Sequence, residues 1–160
     1  TRGIGAAIAL ELAGRGYQVI GTATSDSGAE RIAQALASFP GCRGVNLNVT
    51  DGAAVEALID DIAKTQGGLH VLVNNAGITR DQLAMRMKDE DWQAVLDVNL
   101  TSSFRLARAA MKLMMKKRWG RIVSVTSVVG VTGNAGQANY VASKAALIGL
   151  SKSLFTYPIA

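Results

Sequence analysis

"LHVLVNNAG", residues 69–77, is a near-continuous apolar run that breaks abruptly into small and polar residues. A strand with one wet face alternates apolar and polar side chains, whereas a strand buried on both faces reads as an unbroken apolar stretch. The run therefore predicts a buried strand of a parallel sheet, with its polar end projecting past the sheet. Shorter runs of the same kind stand at 17–24 ("YQVIGTAT"), 43–49 ("RGVNLNV") and 120–127 ("GRIVSVTS"). Between them the apolar spacing turns helical. Ile4, Ile8 and Leu12 recur along "TRGIGAAIALELAGRG" until Gly14 and Gly16 stop the helix. "GAERIAQALASF" ends at Pro40 and Gly41, and "TDGAAVEALIDDIAKTQ" is capped by Thr50 or Asp51. A long helix is predicted over 89–118 and a last one over 137–154. Strict alternation of strands and helices predicts an α/β fold, a Rossmann-like doubly wound parallel sheet with helices on both faces. Ligands of such sheets bind beyond the carboxyl ends of the strands. "TATS", "NVTD", "NNAG" and "TS" would all lie on that rim.

Length and composition set bounds. With 160 residues, 49 % hydrophobic and 18 % charged, the chain fits one globular domain over 1–160. No apolar run reaches the ~20 residues that span a bilayer, so no membrane partner is expected. A lone cysteine, Cys42, cannot make an internal disulfide, which suits a reducing, cytoplasmic setting. The single His70 lies in an apolar run, which disfavours a Ser-His-Asp triad or a His-based metal site; no metal is expected. Cys42 and His70 read as structural. A net charge of +5 permits an acidic partner but, without an aromatic stacking platform, does not indicate nucleic acid.

One further stretch carries chemistry. In "NYVASK", residues 139–144, Tyr140 and Lys144 are one helical turn apart and share a face. A cation near a phenol favours its ionised form and lowers a pKa that is ordinarily about 10. Taken alone, the pair also fits a half-buried Tyr beside a solvated Lys. Ser127, at the end of a predicted strand one loop earlier, adds a third polar group to the same rim.

"RGIG", "NNAG", "VNL", Ser127 and "YVASK", in this order, resemble the short-chain dehydrogenase/reductase family over nearly the whole chain, to about residue 154. More narrowly, "NNAGITRDQLAMRMKDEDW", "MMKKRWGRI" and "SVVGVTGNAGQANYVASKA" are similar to the 3-oxoacyl-[acyl-carrier-protein] reductases. The resemblance implies a catalytic tetrad of Asn99, Ser127, Tyr140 and Lys144. Tyr140 would protonate the carbonyl oxygen as hydride reaches carbon. Ser127 would hydrogen-bond that oxygen. Lys144 would lower the Tyr pKa and bind the nicotinamide ribose, and Asn99 would anchor a water leading from Lys144 to solvent. On residues alone, Asn99 also reads as a polar group on an exposed helix face.

The implied cofactor is NADPH. Gly3 and Gly5, with Arg2 and Ile4, form a glycine-rich turn at a helix N-terminus, where backbone N–H groups can meet a pyrophosphate. No carboxylate follows the strand at 17–24 until Asp26, so Arg2 and Thr24 are left to meet a 2′-phosphate. Asn48 and Val49 would flank the adenine, and Asn75, Ala76 and Gly77 would pass the adenosine ribose. Arg118, in "KKRWGR", would help dock an acyl carrier protein bearing a 3-oxoacyl chain. Favourable charge at a helix C-terminus explains the same cluster. Met111, Leu113, Met114 and Met115 would pack the core or a subunit contact. Relatives imply a homotetramer paired through 89–118 and 137–154.

Compared with the family pattern, the first strand and the C-terminal strands are lacking, and "FTYPIA" at 155–160 replaces an expected helical continuation. That first strand would lie between 17–24 and 69–77. The expectation is an internal piece of a longer reductase, inactive and unstable alone, whose parent reduces 3-oxoacyl-[acyl-carrier-protein] to the (3R)-3-hydroxyacyl form in fatty-acid synthesis. Alternatives are an acetoacetyl-coenzyme A reductase and a non-catalytic NADP-binding subunit.

Overall fold

The computed structural model describes residues 3–155, with the side chain of Phe155 excepted. The chain is an α/β protein of Rossmann-like type, with parallel strands flanked by helices. It forms two compact units, Thr1–Ala54 and Val55–Ala160.

In the first unit, α1 (Gly3–Gly14) ends where the glycines predicted it would. Gly16 takes φ +87°, and the amides of Gly16 and Tyr17 turn back to the carbonyls of Ala13 and Leu12. This is a glycine-dependent helix stop. Strand β1 (Ile20–Ala23) pairs in parallel with β2 (Arg43–Asn46), Ile20 opposite Arg43. Between them runs α2 (Asp26–Ala35), capped by Ser25, whose Oγ accepts the Gly28 amide at 3.1 Å. The helix begins two residues before the predicted 28 because Ser25 supplies that cap, and the chain leaves it at Leu36 in turns. Ala13, Ile32 and Leu36 form the core, with Val19, Ala23, Phe39 and Cys42 against it. Gly44 is required here, since a Cβ would stand 2.8 Å from the Ala29 carbonyl carbon and 3.0 Å from the Ala33 nitrogen. Asp51 is the cap of the next helix, accepting the Ala54 amide at 3.0 Å.

That helix, α3 (Gly52–Thr65), carries Val55, Ile59 and Ile62 inward in the second unit. Strand β3 (Val71–Asn74) pairs in parallel with β4 (Arg121–Ser124), Val71 opposite Arg121. The predicted helix over 89–118 is three pieces: α4 (Asp89–Leu96), a π turn (Asp97–Thr101) and α5 (Ser102–Lys117). The loop-like "SVVGVTGNAGQA" contains a short α6 (Val129–Thr132), followed by α7 (Ala138–Phe155). Val95, Ala107, Ala110, Met114 and Leu147 fill the core. Met114 is buried as expected, whereas Met115 is 51 % exposed. His70 and Trp119 stack at a tilt, 5.9 Å between centroids.

Two features depart from the expected buried sheet. The strands are about half the predicted length, and they are mostly half-buried, with Val123 48 % exposed. The cause is pairing. Among the described residues β1 has one strand neighbour, β2, and β3 has one, β4. A strand paired on one edge keeps only those residues in register whose partners exist.

Candidate active site

Helix α7 positions the reacting pair. Asn139, fully buried, accepts the Tyr140 amide on Oδ1 at 2.7 Å and donates through Nδ2 to the Arg80 carbonyl at 3.0 Å. This fixes the first turn, so Tyr140 and Lys144 emerge on one face. The Lys144 Nζ lies 5.6 Å over the Tyr140 ring. Lys144 is not a solvated lysine: it is 4 % exposed, and its Nζ donates to the Val125 carbonyl at 2.7 Å. Burial pushes its pKa below the ordinary 10.5.

Val125 is the first residue past β4, and its amide donates to the Asn74 carbonyl at the end of β3. Lys144 is thus bound to the polar rim of the β3–β4 pair. Ser127, two residues further on, is half-buried, and its carbonyl accepts the Gly130 amide at 3.1 Å to start α6. A Cβ on Gly130 would stand 3.0 Å from the carbonyl carbon of Lys144, so α6 lies directly on the backbone of α7. The segment beginning with Ser127 therefore sits against the helix turn that carries Lys144.

Asn99 is fully buried, which overturns the exposed-face reading. Its place in the π turn explains this, because widening one turn points the side chain across to α7 and the β3 end. Oδ1 accepts the Ile78 amide at 2.8 Å, while Nδ2 donates to the Ile78 carbonyl at 3.1 Å and to Ser143 Oγ at 3.0 Å. Hydroxyls of Ser102 and Ser103 take the carbonyls of Val98 and Asn99 in the same turn. Asn75 is half-buried, and Ala76 and Gly77 are exposed. A Cβ on Gly77 would come 3.3 Å from Asn99 Oδ1 and 3.7 Å from Lys144 Nζ. Asn74 Oδ1, at the same strand end, is buried with no hydrogen-bond partner.

In the first unit, α1 opens at Gly3 with φ +66°, and nothing lies within 4 Å of where its Cβ would be. Ile4 is 62 % exposed, and Gly5 is half-buried. Thr24 is exposed at the end of β1. Asn48 is exposed, its Oδ1 held by the Thr50 amide and hydroxyl, while Val49 is buried. Arg2 lies outside the described residues. Within the second unit, the absence of a Cβ at Gly77 beside Asn99 and Lys144 fits the close backbone approach that a nicotinamide dinucleotide needs.

Arg118 is not brought to this site. It ends α5 in a left-handed conformation, φ 52°, just before β4, whereas Ser127 follows β4. The two residues stand at opposite ends of one strand. Ser143, Asn139 and Ser103 went unnoticed in the sequence. Their only signal was polar identity at positions on an otherwise core-facing helical stripe. Among the described residues no group of three or more His, Cys, Asp or Glu could hold a metal ion. Nor is any described helix long and apolar enough to cross a membrane.

Comparison with known proteins follows the same lines. Residues 1–156 match the short chain dehydrogenase family. Over 154 residues the chain is 56 % identical to the 3-oxoacyl-[acyl-carrier-protein] reductase FabG of Escherichia coli K12, covering 96 % of this chain and 62 % of that protein. The reductases of the same name from Haemophilus influenzae and Pseudomonas aeruginosa are 54 % and 51 % identical, each over 96 % of this chain and 63 % of their own length. The chain thus spans somewhat less than two thirds of these relatives. A family match along nearly all its length makes this chain a member of the short chain dehydrogenase family.

Proposed function

We propose that the protein is an NADPH-dependent oxidoreductase that reduces 3-oxoacyl-[acyl-carrier-protein] to the 3-hydroxyacyl form in fatty-acid synthesis, its whole length 1–160 belonging to one NADP-binding domain. The observation that carries this reading is Lys144, a cation buried to 4 % exposure, bonded to the Val125 carbonyl and lying 5.6 Å over the Tyr140 ring. Burying an ammonium is costly even when it is hydrogen-bonded, and such groups concentrate at reacting sites. The names of the relatives supply the substrate class.

In this reading the cofactor, when bound, supplies the hydride. Gly3, Ile4 and Gly5, with Arg2, hold its pyrophosphate, and Thr24 and Arg2 meet the 2′-phosphate. Asn48 and Val49 border the adenine, and Asn75, Ala76 and Gly77 leave room for the ribose. Tyr140 gives its phenolic proton to the substrate oxygen, and Ser127 donates a hydrogen bond to that oxygen. The Lys144 ammonium favours the negative charge left on the phenol and reaches the nicotinamide ribose. Asn99 holds the Ile78 loop and a proton route from Lys144. Arg118, at the far end of β4, helps dock the acidic carrier protein, and copies pair through 89–118 and 137–154 in a tetramer. The setting is the cytoplasm.

The test is NADPH oxidation at 340 nm with acetoacetyl-carrier protein and acetoacetyl-coenzyme A at matched concentrations. Preference for the carrier substrate, with Tyr140→Phe lowering kcat by about 10²- to 10⁴-fold while NADPH still binds, supports the reading. Preference for coenzyme A replaces the substrate class. Turnover that survives Tyr140→Phe removes the assigned acid.

A further inference from the structure

Ser143 occupies a position that the reading above leaves unexplained. It is fully buried, directly before Lys144 and three residues after Tyr140. Its hydroxyl donates to the Tyr140 carbonyl at 2.7 Å and accepts from Asn99 Nδ2 at 3.0 Å. A serine that only bonds back to its own helix needs the first contact and not the second. The second bond crosses from the π turn to α7, and it completes the Asn99 carboxamide. Both Nδ2 hydrogens are then used, and Oδ1 is taken by the Ile78 amide. Flipping the carboxamide would set oxygen against the Ile78 carbonyl and N–H against its amide. The orientation is therefore fixed by bonding. Ile78 in turn follows Gly77, whose missing Cβ lies 3.7 Å from Lys144 Nζ.

We propose that Ser143 is a positioning residue that ties the strand-end loop Asn75–Ile78, through Asn99, to the helix turn carrying Tyr140 and Lys144. It touches no reacting atom. It sets how closely that loop, and any dinucleotide passing it, approaches the Lys144 ammonium. The functional half of this inference rests on Tyr140 and Lys144 being the reacting pair; the structural half does not.

The experiment is native-state hydrogen exchange on the purified protein and on Ser143→Ala and Ser143→Cys, alongside NADPH turnover. Cysteine leaves no void and is a weaker acceptor, so a folding loss confined to alanine does not end the test. The Ile78 amide is the probe. The Arg121 amide, which donates to the His70 carbonyl at the other end of β4, is the control. Exchange at Ile78 is expected to speed up about tenfold in Ser143→Ala, the change that loss of one hydrogen bond implies, and less in Ser143→Cys. Arg121 should not change. The companion expectation is a tenfold lower kcat with KM for NADPH within threefold. Unchanged exchange at Ile78, or equal acceleration at both amides, overturns the proposal and leaves Ser143 as packing. Altered exchange at Ile78 with an enzyme indifferent to Tyr140→Phe upholds the tie and overturns the functional reading instead.

Discussion

Replacing Gly130 by alanine perturbs the site without removing any group assigned to chemistry. An ideal Cβ at Gly130 would meet the Ala145 nitrogen and the Lys144 carbonyl carbon at 3.0 Å and Lys144 Cβ at 3.1 Å. Two of the three are backbone, so no rotamer change relieves them. Carbon contacts are comfortable near ~3.5–4.0 Å, so the helices must part by roughly half an ångström. Helix α7 has 18 residues and α6 has 4, so α6 is the element that yields. The Gly130 amide holds the Ser127 carbonyl at 3.1 Å, and Ser127 is displaced with it. Overpacking costs about 1–3 kcal/mol, offset by about 0.5–1 kcal/mol for alanine over glycine in a helix. The net is ~1–2 kcal/mol, or a Tm lower by ~2–8 °C in a chain of this size. A reacting group misplaced by 1 Å loses about 10²-fold, so half that shift implies roughly tenfold in kcat. Thermal unfolding and NADPH turnover measure the two together. A variant with wild-type Tm and kcat within twofold would refute the claim that α6 sets the place of Ser127.

Two further outcomes follow from the same coordinates. Unfolded Lys144 keeps its proton up to its ordinary 10.5, while the folded, buried group releases it earlier. Between those values the unfolded chain binds more protons, so stability rises with pH there and is lost as pH falls through the folded value. Urea unfolding of wild type against Lys144→Met should show this alkaline rise in the wild type alone, and parallel profiles would contradict the burial of the charge. Gly44→Ala and Gly21→Ala form a matched pair. The first drives a Cβ into the α2 backbone and should cost more than about 3 kcal/mol, whereas the second meets Ile32 Cγ2 at 2.7 Å, a side chain that can turn, and should cost about 1 kcal/mol. Equal destabilisation in urea titrations would show that α2 does not hold β2 as described.

What could be read from residues alone was the order of elements and the side-chain face of α7. Both depend on local spacing, 3.6 residues for helices and unbroken apolar runs for strands. Glycine punctuation placed the end of α1, which stops at Gly14 ahead of Gly16. Strand lengths were overread, because an apolar run says nothing about whether a ladder partner exists. The π turn was invisible, since "DEDWQAVLDVNLTSSF" keeps a helical pattern through it. For the same reason an exposed face stayed open to Asn99 as the lesser reading. Lys144 could be paired with Tyr140 by spacing, but its bond to the Val125 carbonyl is a tertiary fact with no sequence signature. For Arg118 the motif was conspicuous, but which end of β4 it stands at depends on where α5 stops.

The π turn at Asp97–Thr101 has a bearing on how this helix can change over generations. In such a turn the Ser102 amide reaches back five residues, to the Asp97 carbonyl, in place of four. It therefore behaves as one residue inserted into a helix that closes on either side of it. A chain one residue shorter between Leu96 and Ser102 would restore the four-residue ladder and keep α5 with Ala107, Ala110 and Met114 still turned inward. The carboxamide that reaches Ile78 and Ser143 would be lost. Architecture and chemistry are in this sense inherited separately: a single deletion could preserve the first while erasing the second.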